Sequence, residues 1–415
     1  MKLSSLFIAM SALMPGIAHA AATPADAFAP TMSFYVAKGS PDACGPGCDS
    51  WIAGEGKVDS AAAGRLLALL RRLKDRKLPI YVQSPGGNLE QALAIGRTLR
   101  ERKLVARVAK TIVSECGAAP PSDAGCVKLK QSGRELPAEL VTRGAVCASA
   151  CPFLLYGAPV REVAADAALA VHSPKINLLF HNGTPPKSLI AASMRQGLDR
   201  ADRNMAAYLA EMGIGHGLLD LIRTVKFESF HVLTREEIVR FGIDRREFVE
   251  TPWMLETGSG ATVRKFAIER REGSNSFRSL QWRLSCAGSD EFRFNFDREA
   301  DESNDIRRVW IAAEAGKSLQ FGFPPFKGKG VETWQLRISK TAVRALAELP
   351  QLDIAETSVA TNGQQAVHLA RISTVGLTAS LASLLVTCSI PPIAGSWTPF
   401  TSGFKFIGTG DATSK

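Results

Sequence analysis

An α/β half followed by a smaller, β-rich half is the fold class that this 415-residue sequence predicts. Between residues 33 and 250, short apolar runs alternate with stretches of helical periodicity, the pattern of chains that build largely parallel sheets. From about Leu255 the period changes to two. Leu280-x-Trp282-x-Leu284-x-Cys286, Phe292-x-Phe294-x-Phe296 and Trp334-x-Leu336-x-Ile338 alternate with polar partners, as half-buried antiparallel strands do. A hydrophobic share of 46% with 22% charged residues is that of an ordinary globular protein, and the length suits two domains.

Residues 1–20 read as an export signal: Lys2 is the positive end, Leu3 to Ile17 is apolar, and Ala18-His19-Ala20 fits a small-x-small cleavage site. Pro15 interrupts an apolar run already too short to span a bilayer, and no later segment reaches the roughly 20 residues a span needs. A mature chain from Ala21 is therefore expected in an exported compartment, without a membrane span. Its formal charge falls from +10 to +9 with the loss of Lys2. The basic residues gather in Arg71 to Lys77 and Arg97 to Lys103 at helical spacing, which predicts solvated helix faces. Nucleic acid is not an expected partner of an exported chain.

Ser33 to Val36 and Trp51 to Val58 read as strands. Asp59 is expected to cap a helix through Leu73, with Leu66, Leu69, Leu70 and Leu73 as its buried stripe. Leu78 to Val82 is the next strand, and the Ser84-Pro85-Gly86-Gly87 turn follows. Asn88 is placed to cap a helix carrying Leu89, Leu93, Ile95 and Leu99, before a strand at Leu104 to Val108. Residues 111–143 read as an inserted loop closed by Cys116 and Cys126, positioned to act as a lid. In the second half, Asn362-Gly363 is a hairpin signal. Helices are expected over Thr341 to Leu349 and Gly376 to Val386.

Eight cysteines, at 44, 48, 116, 126, 147, 151, 286 and 388, make an even count, which in an exported chain predicts disulfides. Cys44 with Cys48 and Cys116 with Cys126 are local pairs, and Cys286 with Cys388 is the pairing left in the second half. Cys147 and Cys151 bracket Ser149, and their linkage depends on local geometry. A zinc site is the alternative use, but the pairs lack Cys-x2-Cys spacing or a paired histidine, so neither a metal nor another cofactor is expected.

The chemistry-bearing stretch runs from Val146-Cys-Ala-Ser149-Ala-Cys-Pro152 to Ala170-Val171-His172-Ser173-Pro174. A serine hydroxyl needs a base within hydrogen-bond reach to act as a nucleophile, and His172 ends the next strand. Gly86 and Gly87 tolerate positive φ and let a substrate approach the backbone, while backbone N–H groups there and at Ala150 suit an oxyanion. A helix starting at Ser149 would add to that field. Singly, Ser149 also reads as a small packing residue and His172 as the end of a buried strand. Their order after the Ser-Pro-Gly-Gly turn favours the chemical reading.

In that order, these motifs resemble the ClpP-type serine peptidases and their superfamily of signal-peptide peptidases and crotonases. The resemblance spans Ser33 to Val249 and is closest to periplasmic ClpP-like proteins with a Cys-x-Ser-Ala-Cys centre. It implies a ClpP/crotonase-like spiral of strand-strand-helix units, Ser149 as nucleophile, His172 as base, and Gly87 and Ala150 as oxyanion donors. It also implies a peptide or protein substrate, a periplasmic location and self-association into a homo-oligomer. Leu233 to Ile243 resembles the segment after the family's acidic residue, and there the match departs: Phe230 stands at the acid's position. Glu228 is the candidate third member, with Asp199 and Asp202 as weaker substitutes; for a Ser–Lys dyad, as in signal-peptide peptidases, Lys175 is near in sequence but does not match that family's lysine. The chain thus divides into a signal peptide at 1–20, a ClpP-like α/β domain at 30–250, a β-rich accessory domain at 255–395 and a tail at 396–415. A catalytically silent binding module on the same fold is the rival to a serine hydrolase.

Overall fold

A computed structural model describes residues 28–178, 185–256, 260–288, 290–300, 304–312, 318–322, 324–360, 363 and 365–388. The expected signal at 1–20, Asn362 of the hairpin signal and the tail from 396 lie outside them. The described chain is mixed α/β, with several sheets.

The first half runs β1 (Ser33–Lys38), β2 (Ser50–Glu55), α1 (Ala62–Leu73), β3 (Ile80–Gln83), α2 (Leu89–Glu101), β4 (Val105–Val108), β5 (Lys110–Val113), α3 (Ala124–Lys130) and β6 (Leu136–Val141). It continues through β7 (Val146–Ala148), α4 (Cys151–Gly157), β8 (Val160–Val163), β9 (Ala168–Val171), α5 (Lys187–Glu211), α6 (Gly217–Thr224), β10 (His231–Val232) and α7 (Arg235–Arg240). Seven strands form one sheet in the order β5-β6-β1-β2-β3-β4-β8, parallel from β2 to β8, and β10-β9-β7 form a second, three-stranded sheet.

The large sheet is apolar on both faces, so its strands read as continuous hydrophobic runs rather than alternating ones. Phe34, Val36, Ile52, Ile80 and Val82 face the core shared with α1, α2 and α4. Tyr35, Ala37, Trp51, Ala53 and Tyr81 face a separate cluster on the other side. That second face explains residues 111–143. The expected lid loop is instead β5, a short 3₁₀ turn, α3 and β6, and Val113, Leu136 and Ala138 cover the far face of the sheet. A buried ion pair fastens it: Lys130 Nζ lies 2.7 Å from Glu55 Oε2, which also accepts from Tyr35 Oη at 2.7 Å. Burial, then the Glu55 charge, raises the Tyr35 phenol well above its ordinary value.

Asn88 caps α2 as its position predicts, its side chain accepting from Gln91 N. Asp59 does not cap α1. It serves the preceding turn, accepting from Ala61 N at 3.0 Å and Met32 N at 3.1 Å and pairing with Arg65, while the helix starts at Ala62. In the basic stretches Arg71 and Arg72 are exposed, and Arg97 holds Glu211 at 2.9 Å.

The second half comprises β11 (Phe248–Glu250), β12 (Met254–Glu256), β13 (Thr262–Arg270), β14 (Phe277–Cys286), β15 (Glu291–Glu299), β16 (Asn304–Ala312), β17 (Ser318–Gln320), β18 (Phe326–Gly328) and β19 (Val331–Ser339). They are followed by α8 (Lys340–Glu348), β20 (Gln351–Ala360), β21 (Gln365–Ser373) and α9 (Leu377–Cys388). One sheet is built on β11-β13-β14-β15-β19-β18, with β12 beside β13, and the other is β17-β16-β20-β21. Trp282 stacks on Phe296 with 5.4 Å between ring centroids, and residues of both sheets share the core with α8 and α9. Although Asn362 is not described, the strands flanking it pair as a hairpin, Val359 opposite Gln365. Four disulfides are formed, 44–48, 116–126, 147–151 and 286–388, and the described residues leave no free cysteine. No helix among them is long and apolar enough to cross a membrane.

Candidate active site

Ser149 and His172 leave neighbouring strands at the same end. β7 pairs with β9 in parallel register, Cys147 opposite Leu169 and Ala148 opposite Ala170. Beyond the last pair, Ser149 N still donates to Ala170 O at 3.0 Å. Neighbouring strands lie ~4.8 Å apart, so residues just past the ends of β7 and β9 come within side-chain reach. Cys147, Leu169 and Val171 point into the first core, and the period of two turns Ala148, Ala170 and His172 to the opposite face.

The turn from β7 into α4 aims the serine. Ser149 has φ 60°, in the left-handed region, which costs a non-glycine residue roughly 1–2 kcal/mol and persists only where its surroundings hold it. Three constraints surround it. Its N–H is tied to β9, the Cys147–Cys151 disulfide closes across it, and Gly86 presses against it. A Cβ added to Gly86 would strike Ser149 Cβ and come 2.6 Å from Ala148 O and 2.7 Å from Ala150 N. Only glycine permits that approach, with φ 94°.

The Ser84-Pro-Gly-Gly turn is stitched to both neighbours. Ser84 N donates to Val146 O at 2.9 Å and Ala148 N to Ser84 O at 3.0 Å, while Val58 N donates to Gly86 O at 2.8 Å and Asn88 N to Val58 O at 2.7 Å. In such a parallel bridge the N–H of Gly87 itself faces away from Val58. Among the described residues, the N–H groups of Gly87 and Ala150 donate to no protein acceptor. Helix α4 opens at Cys151, two residues beyond the expected start at Ser149, and Ala150 holds its N-cap position.

His172 is 9% exposed, and its Nδ1 lies 2.8 Å from the carbonyl oxygen of Ser173. A carbonyl only accepts, so Nδ1 carries the proton and Nε2 presents a lone pair, the tautomer that a general base requires. Phe227 and Phe230 meet the ring edge to face at 4.9 and 4.8 Å between centroids. Burial lowers the imidazole pKa, opposed by the Ser173 hydrogen bond and the Glu228 charge. No hydrogen bond joins Ser149 to His172 in this conformation.

The acid is where sequence and geometry part. Glu228 is exposed and makes no hydrogen bond to His172, whose Nδ1 is taken by Ser173, and Phe230 lies against the ring with an apolar edge. Asp202 is held by Arg223 at 2.7 Å and Asp199 is exposed. Lys175 sits over the Phe227 ring at 5.1 Å, and His231 bonds Glu237 at 2.8 Å. Sequence reasoning missed Ser173, because a backbone carbonyl carries no residue signature. Phe227 was missed too, although an aromatic three residues before Phe230 was a readable signal.

A cavity of about 470 Å³ lies elsewhere, at the starts of β3 and β4, against the Cys44–Cys48 loop, Lys77 and Lys103, and is lined by neither Ser149 nor His172. Among the described residues no three His, Cys, Asp or Glu side chains form a metal-holding group. Compared with sequence profiles of known protein families and with curated proteins, the chain matches none.

Proposed function

We propose that the chain is an exported serine hydrolase, a peptidase in the simplest reading, that acts through an acyl-enzyme on Ser149 with His172 as its base. The observation that carries this reading is the joint geometry at the ends of β7 and β9. A left-handed serine stands beside a histidine whose Nδ1–H is committed to the Ser173 carbonyl, with two unpartnered N–H groups beside it. In this reading Nε2 of His172 takes the Ser149 proton as the hydroxyl attacks a carbonyl carbon and later returns it to the leaving amine. The N–H groups of Gly87 and Ala150 receive the oxyanion, with Gly86 keeping the space open. The third role passes from a carboxylate to a backbone carbonyl. Such a dyad orients the base without stabilising the imidazolium by a full charge, so slow turnover is expected.

The ClpP/crotonase-like spiral, the peptide or protein substrate, the periplasmic location and a homo-oligomeric state belong to this proposal. Four disulfides and the apolar leader at 1–20 support the location. The exposed Glu228 and the missing Ser149–His172 hydrogen bond favour a second reading, a silent binding module on the same fold. A fluorophosphonate probe separates the two. Labelling of the native protein that disappears in Ser149→Ala and His172→Ala is the expected result. Absence of labelling across pH would leave the binding module.

A further inference from the structure

One of the four disulfides closes around the candidate nucleophile. Cys147 lies in β7 opposite Leu169 and Cys151 opens α4, so the bond joins strand to helix across Ala148, Ser149 and Ala150. Both cysteines are fully buried. Neither element needs the bond to stay in place. β7 is tied to Ser84 and β9 by backbone hydrogen bonds, and every residue of α4 is buried. What the bond adds is at the junction. The other non-glycine residues with positive φ among those described, Asp42, Lys74, Lys103 and Lys329, lie outside any such small ring, and Ser149 lies inside one. A serine released from the ring can fall back to an extended or right-handed conformation, which turns its hydroxyl away from the direction that Gly86, Gly87 and Ala150 frame.

We propose that the Cys147–Cys151 disulfide is a positioning element for Ser149 and makes the site conditional on oxidation. The proposal rests on the reading of Ser149 as a nucleophile. The reduced chain folds with its serine unaimed, and closure of the bond completes the site. Closure takes two electrons and two protons from the two thiols and passes them to a disulfide of a thiol-exchange partner, which leaves as a dithiol. A hydrolase built this way stays silent in a reducing compartment and becomes competent where disulfides form.

The test compares fluorophosphonate labelling of the wild type, the Cys147→Ala/Cys151→Ala pair and a control pair, Cys116→Ala/Cys126→Ala, in the insert. The site pair is expected to keep its circular dichroism and its other three disulfides. Its inactivation rate constant falls by about tenfold or more with the probe's binding constant unchanged, and the control pair keeps its rate constant. An unchanged rate constant in the site pair, or an equal loss in the control, overturns the proposal. Should the site pair fail to fold, reduced wild type is reoxidised with glutathione disulfide and sampled. Labelling must rise in step with the peptide bridged between Cys147 and Cys151, and labelling that precedes the bridge overturns the idea. Wild type that never labels defeats the nucleophile reading, and this proposal with it. Wild type and site pair that label equally defeat this proposal alone.

Discussion

The protonation of His172, the proposed base, is set by burial more than by charge. Its imidazole titrates below the ordinary value of about 6.5 because the buried ring loses hydration as a cation. The labelling rate should therefore rise with pH, with a midpoint below that of a free histidine, and be on its plateau at neutrality. The same depression makes the folded state bind protons less readily than the unfolded one. The stability that His172 contributes is thus complete above its unfolded pKa and lost as pH falls toward the lower, folded value. Glu228 acts in the opposite sense, so Glu228→Gln should move the midpoint further down and leave the plateau rate within about threefold. A loss of orders of magnitude, the mark of a missing orienting carboxylate, would restore Glu228 to a triad. At this scale the sequence singles out Ser149 and His172 as candidates, because reactive side chains in a fixed order leave a trace. It carried nothing of the Ser173 carbonyl, which every residue type supplies alike.

At the scale of elements, the turn after β3 and the turn before α4 form one unit, joined where Gly86 meets Ser149. Gly86→Ala adds a Cβ where Ala148 O and Ala150 N already stand within 2.7 Å, at a φ of 94° that alanine resists. The expected cost is roughly 1–3 kcal/mol, read from the denaturation midpoint, together with loss of probe labelling. Unaltered midpoint and labelling would show that the two turns do not depend on each other. The strands and helices of this half were legible from their periods, and Asn88 from its chemistry. Residues 111–143 were not. Their apolar positions Val113, Leu136 and Ala138 are too widely separated to show a period, and they make sense only against the second face of the sheet. Asp59 misled for a related reason: a carboxylate that can cap a helix can equally serve the turn before it.

Over the whole molecule, apolar packing falls into two principal bodies, one ending at Ile243 and the other beginning at Trp253. The bond between Cys286 and Cys388 closes a segment of 102 residues around the second. Replacing both cysteines with serine should lower the stability of that half by roughly 4–5 kcal/mol on the chain-entropy model, without changing labelling at Ser149. Fluorescence of the tryptophans at 282 and 334, set against probe labelling through a denaturant series, measures both. Parallel loss of the two signals would show that the halves unfold as one. The change of period near residue 255 marked this division in the sequence. The segment between the two patterns is too short for any period to assign.

That segment has a consequence for dissecting the protein. β11 at Phe248–Glu250 pairs with β13, and Trp253 packs on Phe294, donates from its indole to Ser373 O at 3.0 Å and from its backbone to Val375 O at 2.9 Å. Just before it, Asp244 binds Arg235 and Arg246 within the first half. The watershed therefore falls between Arg246 and Phe248, upstream of the point where the alternating pattern starts. An expression fragment cut at 255 discards an edge strand and a core indole and should be insoluble or loosely packed. One beginning at Glu247 retains both and should melt cooperatively, and a protease given the intact chain should spare the stretch from 248 to 253.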